Sequence, residues 1–94
     1  MRIIERSSAF KRDYKRVYAN PRHRRNIDFL LTDVISFLAV DKDLQRSQKD
    51  HELLGDWIGY RECHIKPDLL LIYKKPDYVI LRLARIGSHS ELFG

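Results

Sequence analysis

Four histidines stand at positions 23, 51, 64 and 89. Three of them fall where the chain changes character. His51 closes a polar stretch. His64 stands near the end of a strand-like run, just before the turn Lys66-Pro67-Asp68. His89 follows the last apolar segment. Histidine exchanges protons near neutrality and serves as base or acid. Three readings are open. Each ring taken singly can make no more than a local hydrogen bond. A metal site needs three or four ligands in compact geometry, and no HxH, HxxxH or CxxC spacing occurs. Cys63 and His64 are adjacent and point to opposite faces of a strand. No metal and no other cofactor is therefore expected. The third reading is acid–base catalysis on an RNA phosphodiester. RNA carries its own nucleophile, the 2′-hydroxyl. Cleavage then needs a base for that proton, an acid for the departing 5′-oxygen, and cations around the phosphorus.

Other side chains could complete the set. Asp68 either orients an imidazole or binds its own turn backbone. Glu62 and His64 share a strand face by the period-two rule, and Arg61 is out of phase with them. Phe93, four residues after His89, either plugs a core edge or stacks on a base. Trp57 reads as a core anchor. His23 lies among basic residues and reads as surface.

These residues need elements to position them. Arg2–Glu5 is a short strand candidate. Ser7 or Ser8 can cap a helix, and Phe10, Tyr14, Val17 and Tyr18 fall on one helical face. Pro21 interrupts, since it cannot continue a hydrogen-bonded helix interior. Ile27, Leu30, Leu31, Val34, Ile35 and Leu38 form the clearest amphipathic stripe. Residues 41–50 are polar and predict a loop. Three strands follow: Trp57–Ile65, the near-continuous apolar Leu69–Lys74, and Tyr78–Ile86, separated by two Lys-Pro-Asp turns. The order predicts one α+β domain over residues 1–94. An N-terminal strand and a two-helix hairpin pack on one face of a mainly antiparallel sheet. The other sheet face is expected to stay open. A helical turn over the closing residues puts His89 and Phe93 on one face, with Leu92 pinning the turn to the sheet.

The 94 residues carry 18 Lys and Arg against 13 Asp and Glu, a formal charge of +5. The excess is clustered. Lys11, Arg12, Lys15, Arg16, Arg22, Arg24 and Arg25 meet one acid, Asp13, in the same stretch. Clustered cations favour a phosphate backbone or an acidic partner. The longest uncharged run, Val34–Val40, is far shorter than the roughly 20 residues of a spanning helix, so no membrane partner is expected. A lone cysteine and no secretory leader point to a reducing cytoplasm.

The stretches "KDHELLGDWIGYRECHIKPDLLLIYK" and "RIGSHSELFG" resemble the YafQ branch of the RelE/ParE toxin superfamily. The likeness covers Lys49–Gly94; the N-terminal half resembles the family in its helical hairpin. The resemblance implies a RelE-like fold and a ribosome-dependent endoribonuclease that cuts mRNA and is neutralised by a cognate antitoxin. By position it implies functional roles for His51, His64, Asp68 and His89, with His89 as general acid. His51 and His64 would be base or electrostatic stabilisers. Phe93 matches an aromatic that orients the nucleotide; Arg61 and Arg82, read from the strands themselves, are the further candidate substrate contacts. The basic residues between Lys11 and Arg25 would seat the protein on ribosomal RNA. Leu69 stands where some relatives have tryptophan, and the 40–50 loop lacks their prolines. The competing expectation is a non-catalytic gyrase inhibitor like the ParE branch; it has no need of the three histidines.

Overall fold

The computed structural model describes all of Met1–Gly94. Strand β1 (Ile3–Arg6) leads into helices α1 (Ser8–Ala19), α2 (Pro21–Arg24) and α3 (Ile27–Ala39). Four more strands follow: β2 (His51–Glu52), β3 (Arg61–Lys66), β4 (Leu69–Lys74) and β5 (Ile80–Gly87). Helix α4 (His89–Phe93) comes last. The five strands form one sheet in the order β1-β5-β4-β3-β2. β1 runs parallel to β5, and the other pairs are antiparallel. The class is α+β, as expected.

Local chemistry sets the helix boundaries. The Ser7 hydroxyl accepts the Phe10 N–H at 3.0 Å and so caps α1. It also donates to the Ala84 carbonyl at 2.8 Å, which ties the start of α1 to β5. The break at Asn20–His23 is itself a helical turn. Asn20 ends α1, and its side chain accepts the Arg22 N–H at 3.0 Å to start α2. Pro21 takes the first helical position, where its missing N–H costs nothing.

The main core lies between α1, α3 and the sheet. Phe10 and Val17 of α1 and Ile27, Val34 and Leu38 of α3 pack on Leu71, Tyr73, Leu81 and Ile86. β4 is buried on both faces, as its unbroken apolar run requires. Leu69 is wholly buried in this core. It offers no ring or surface to a nucleotide.

Two strands are shorter than the sequence pattern predicts. The run from Trp57 becomes strand at Arg61, because Gly55 and Gly59 take positive φ values of 66° and 90° and turn the chain. Gly55–Trp57 is one turn of 3-10 helix. β5 starts at Ile80, because the Asp77 carboxylate accepts the N–H groups of Val79 and Ile80, both at 2.8 Å. The polar 41–50 stretch contains a 3-10 turn at Arg46–Gln48.

The second sheet face is not open along its whole width. Leu70, Ile72, Ala84 and Leu92 form a small core there, with Leu53, Trp57 and Tyr60 against it. A bulge in β5 makes this possible. Ile72 pairs with Arg85 and Tyr73 with Leu83, leaving Ala84 as an extra residue. The bulge resets the alternation, so Leu83 and Ile86 both reach the main core.

Candidate active site

The β2–β3 ladder sets His51 directly opposite Glu62. His64, two residues on in β3, shares the face of Glu62. Both imidazoles turn the same atom to the same acceptor. His51 Nε2 lies 3.4 Å and His64 Nε2 3.8 Å from Glu62 Oε1. The opposite ring atoms face carbonyls: His51 Nδ1 lies 3.1 Å from the Glu52 oxygen, and His64 Nδ1 lies 3.2 Å from that of Pro67. An Nδ1–H donated there leaves each Nε2 as the atom that gains or loses a proton. Glu62 itself is buried. A positive charge arriving on either ring meets its carboxylate.

Asp50 braces this edge. Its carboxylate accepts from the Tyr73 hydroxyl at 2.6 Å and from Arg61 Nε at 3.2 Å. Burial, reinforced by the Asp50 bond, pushes the Tyr73 hydroxyl well above the usual phenol range. The neutral phenol donates and holds Asp50, the residue before His51, against the sheet.

His89 and Phe93 stand at i and i+4 of α4, with ring centroids 5.1 Å apart. A capping box forms their helix. Ser88 accepts the Glu91 N–H, and Glu91 accepts the Ser88 N–H. Leu92 docks the helix on the small core. Asp68, in the β3–β4 turn, and His89 line one polar depression together with Asn20, Arg22, His23, Ser88, Ser90 and Glu91. His64 and Gly87 both pair with Leu70, so two strand spacings, roughly 10 Å, separate their backbones. The end of β3, the start of β4 and the end of β5 thus bring His64, Asp68 and His89 to one end of the sheet, with His51, opposite Glu62, two residue pairs further in.

The other expected residues divide. Arg61 stands beside the histidine pair but is engaged by Asp50 and Glu52. Arg82 is bound to Glu5 at the β1–β5 edge, on the far side of the sheet from β3. Lys11, Arg12, Lys15, Arg24 and Arg25 are exposed and make no ion pair within the chain. Arg22 approaches Asp68 at 3.7 Å. Arg16 is committed internally, to Asp13 and Glu91. His23 corrects the sequence reading: it is 4% exposed, not a surface residue, and its Nδ1 is buried without a partner. Lys66 explains the burial. Its ammonium donates to the carbonyls of His23 and Arg25 and pulls α2 onto β3.

Sequence reasoning missed the role of Asp13. It is 3% exposed, bound by Arg85 and by the Ile86 N–H. An acid alone in a basic run was the available signal. Its partner, 72 residues away, was not readable.

A sheet with a helical hairpin on one face and a histidine-rich end on the other defines the class of small α+β toxins. The family described as bacterial toxin of type II toxin–antitoxin system, YafQ, matches residues 2–94. The chain belongs to that family. It is 38% identical over 93 residues to the mRNA interferase toxin YafQ of Escherichia coli strain K12, covering 99% of this chain and 97% of that one. The crystal structure of the E. coli DinJ–YafQ toxin–antitoxin complex contains a chain matching at TM-score 0.82 and 38% identity, covering 99% of this chain and 98% of that one. A metal-bound toxin from Helicobacter pylori matches at TM-score 0.86 and 44% identity, covering 99% of this chain and all of that one. In this chain no three His, Cys, Asp or Glu side chains are arranged to hold an ion. No helix is long and apolar enough to cross a membrane. The gyrase-inhibitor alternative is not favoured, because the relative matched over almost the whole chain is an mRNA interferase toxin.

Proposed function

We propose that this chain is the toxin of a toxin–antitoxin module and that it halts translation by cutting mRNA on the ribosome with histidine acid–base chemistry. Its activity class is that of its family, an endoribonuclease acting as an mRNA interferase. One observation carries the mechanism. His89, with the Phe93 ring one helical turn along α4, lines the depression that Asp68 also lines, at the sheet end that holds His64 and, two residue pairs further in, His51, both facing Glu62.

The 2′-oxygen of the substrate attacks phosphorus. His51 or His64 takes the 2′-hydroxyl proton at Nε2, and Glu62 meets the resulting charge. The bond from phosphorus to the 5′-oxygen breaks, and His89 gives that oxygen a proton. One proton enters the protein and one leaves it. The products are a cyclic 2′,3′-phosphate and a 5′-hydroxyl end. Arg22, which lines the depression with Asp68 and His89, is the arginine placed to meet phosphate oxygens there; Arg61 is held by Asp50 and Glu52, and Arg82 by Glu5 on the far side of the sheet. Asp68 orients an imidazole or relays a proton. Phe93 stacks on a base beside the cut.

The unpaired cations Lys11, Arg12, Lys15, Arg24 and Arg25 seat the toxin on ribosomal RNA, with an affinity that falls steeply with salt. The same face attracts an acidic antitoxin segment that orders on binding. The whole chain acts as one toxin domain, in the cytoplasm, and the ribosome supplies the alignment of its mRNA.

The test expresses wild type and His89→Ala and maps mRNA 5′ ends. Wild type should arrest growth and leave new 5′ ends within coding regions; His89→Ala should do neither. Undiminished arrest by His89→Ala, with no cut mRNA in either culture, sinks the proposal.

A further inference from the structure

The network that starts at buried Asp13 runs on to α4 without a gap. Asp13 Oδ2 accepts from Arg85 Nε at 2.5 Å and from the Ile86 N–H at 3.1 Å; Oδ1 accepts from Arg85 Nη2 at 3.1 Å. β1 covers β5 from Ile80 to Leu83. Beyond that point α1 takes over the hydrogen bonding of the β5 edge: Ser7 at its start donates to the Ala84 carbonyl, and Asp13 accepts the Ile86 N–H. Arg16, one turn along α1, reaches Asp13 with Nη1 at 3.2 Å and Glu91 Oε2 with Nε at 2.9 Å. The second oxygen of Glu91 accepts the Ser88 N–H at 2.8 Å. Arg16 thus joins the buried anchor to the residue that caps α4.

Packing at this junction is tight. A Cβ on Gly87 would lie 3.2 Å from Arg16 Nη2, 3.2 Å from Glu91 Oε1 and 3.3 Å from Leu92 Cδ2. A side chain at this position would press on the ends of both partners of the pair and on Leu92. α4 has five residues. A helix that short does not hold itself together in water. Its orientation rests on external ties. Leu92 is the apolar one, and the Arg16–Glu91 pair is the ionic one. A single apolar contact leaves a short helix free to roll about it; a second, directional contact fixes the roll. His89 sits on the turn so fixed.

We infer that Arg16 and Glu91 are positioning residues for His89, and that their ion pair, anchored by Asp13 and Arg85, sets the angle at which the His89 ring meets the substrate. This deepens the proposed function and rests on its assignment of His89 as the acid. Arg16 then acts through α4, not as one of the cations that touch RNA.

Arg16→Met keeps the stem and removes the guanidinium. Glu91→Gln keeps an oxygen for Ser88 and removes the charge. In a ribosome-bound cleavage assay each should lower kcat at least tenfold with KM within twofold of wild type. The double variant should be no slower than the worse single. In NMR spectra of the free toxin, the His89 ring protons should change shift in both variants, as the ring moves against the α2 and β3–β4 turn residues that line the same depression. An Arg16 that contacts RNA gives another pattern: KM rises for Arg16→Met, Glu91→Gln stays near wild type, and the His89 shifts do not move. That pattern, or two losses that multiply in the double variant, overturns the inference. If Arg16→Met does not fold, Glu91→Gln decides by the same kcat and His89 shift. His89→Ala separates the layers. Should it cleave normally, the acid assignment fails, while the NMR shifts still report whether the pair orients the ring.

Discussion

Glu62 Oε1 is the common neighbour of two rings, but its closer tie is to His51, which β-ladder register sets directly across from it with Nε2 3.4 Å away. The carboxylate is buried, and His64 reaches it from the same strand at 3.8 Å. A carboxylate so placed is positioned to answer a charge that would arrive on either ring in the proposed reaction. Glu62→Gln keeps the shape and removes the charge. A hydrogen bond to a charged group is worth about 1.5–3 kcal/mol, so kcat should fall about 10- to 100-fold. Thermal melting should confirm an intact fold, and steady-state cleavage on ribosomes reads the loss. Wild-type kcat in this variant would remove Glu62 from the mechanism.

Leu92 and Phe93 are neighbours with different tasks. Leu92 is 8% exposed within the small core, whereas Phe93 is 36% exposed. Leu92→Ala should cost about 2 kcal/mol or more, as buried leucine truncations do, and lower activity by freeing α4. Phe93→Ala should leave urea stability within about 0.5 kcal/mol and still reduce kcat. Removing Leu92–Gly94 together should therefore damage folding and activity both. Equal destabilisation by the two single changes would make Phe93 a core residue.

Acid should loosen α4. The Ser88 N–H, and then the Arg16 guanidinium, hold the Glu91 carboxyl below its ordinary 4.5. Asp41, bonded by Lys75 and Arg2, and Asp77, bonded by the Val79 and Ile80 N–H groups, lie below their ordinary 3.8. A carboxylate with a lowered folded value binds fewer protons folded than unfolded. Its contribution is present above the ordinary value and is lost as pH falls through the folded one. Stability should be level near neutrality and decline below about pH 4.5. Urea midpoints from pH 7 to pH 3 test this; in Glu91→Gln the decline should be shallower.

Cys63 has no accessible surface, and burial pushes its thiol far above the usual range. A thiol kept protonated and covered does not attack disulfides. Ellman's reagent should label the native protein over hours at most, and the urea-unfolded protein at once. Rapid labelling of native protein would mean that the β3–β4 core opens readily.

Sequence and structure contributed differently to each part of the site. The α3 stripe and the β4 run were legible, because both repeat an element's own period. The helical turn at His89 was legible too, because His89 and Phe93 stand four residues apart; its cap by Ser88 and Glu91 was not read. The burial of His23 was hidden. Arg22 and Arg24 flank it, and the Lys66 ammonium that ties α2 to β3 comes from another element. The pairing of His51 with Glu62 depends on strand register, which Gly55 and Gly59 decide by where they turn the chain. By itself, the chain determined its helices, its central strands and which side chains could exchange protons, because those depend on residue type and on spacing shorter than a turn or a pleat. Only the tertiary structure decided that β1 lies parallel beside β5, that Asp13 meets Arg85 across 72 residues, and that Arg16 braces the helix that carries His89. Such contacts form where separately stable surfaces meet, and the partner of a charge is then set by packing, not by position along the chain.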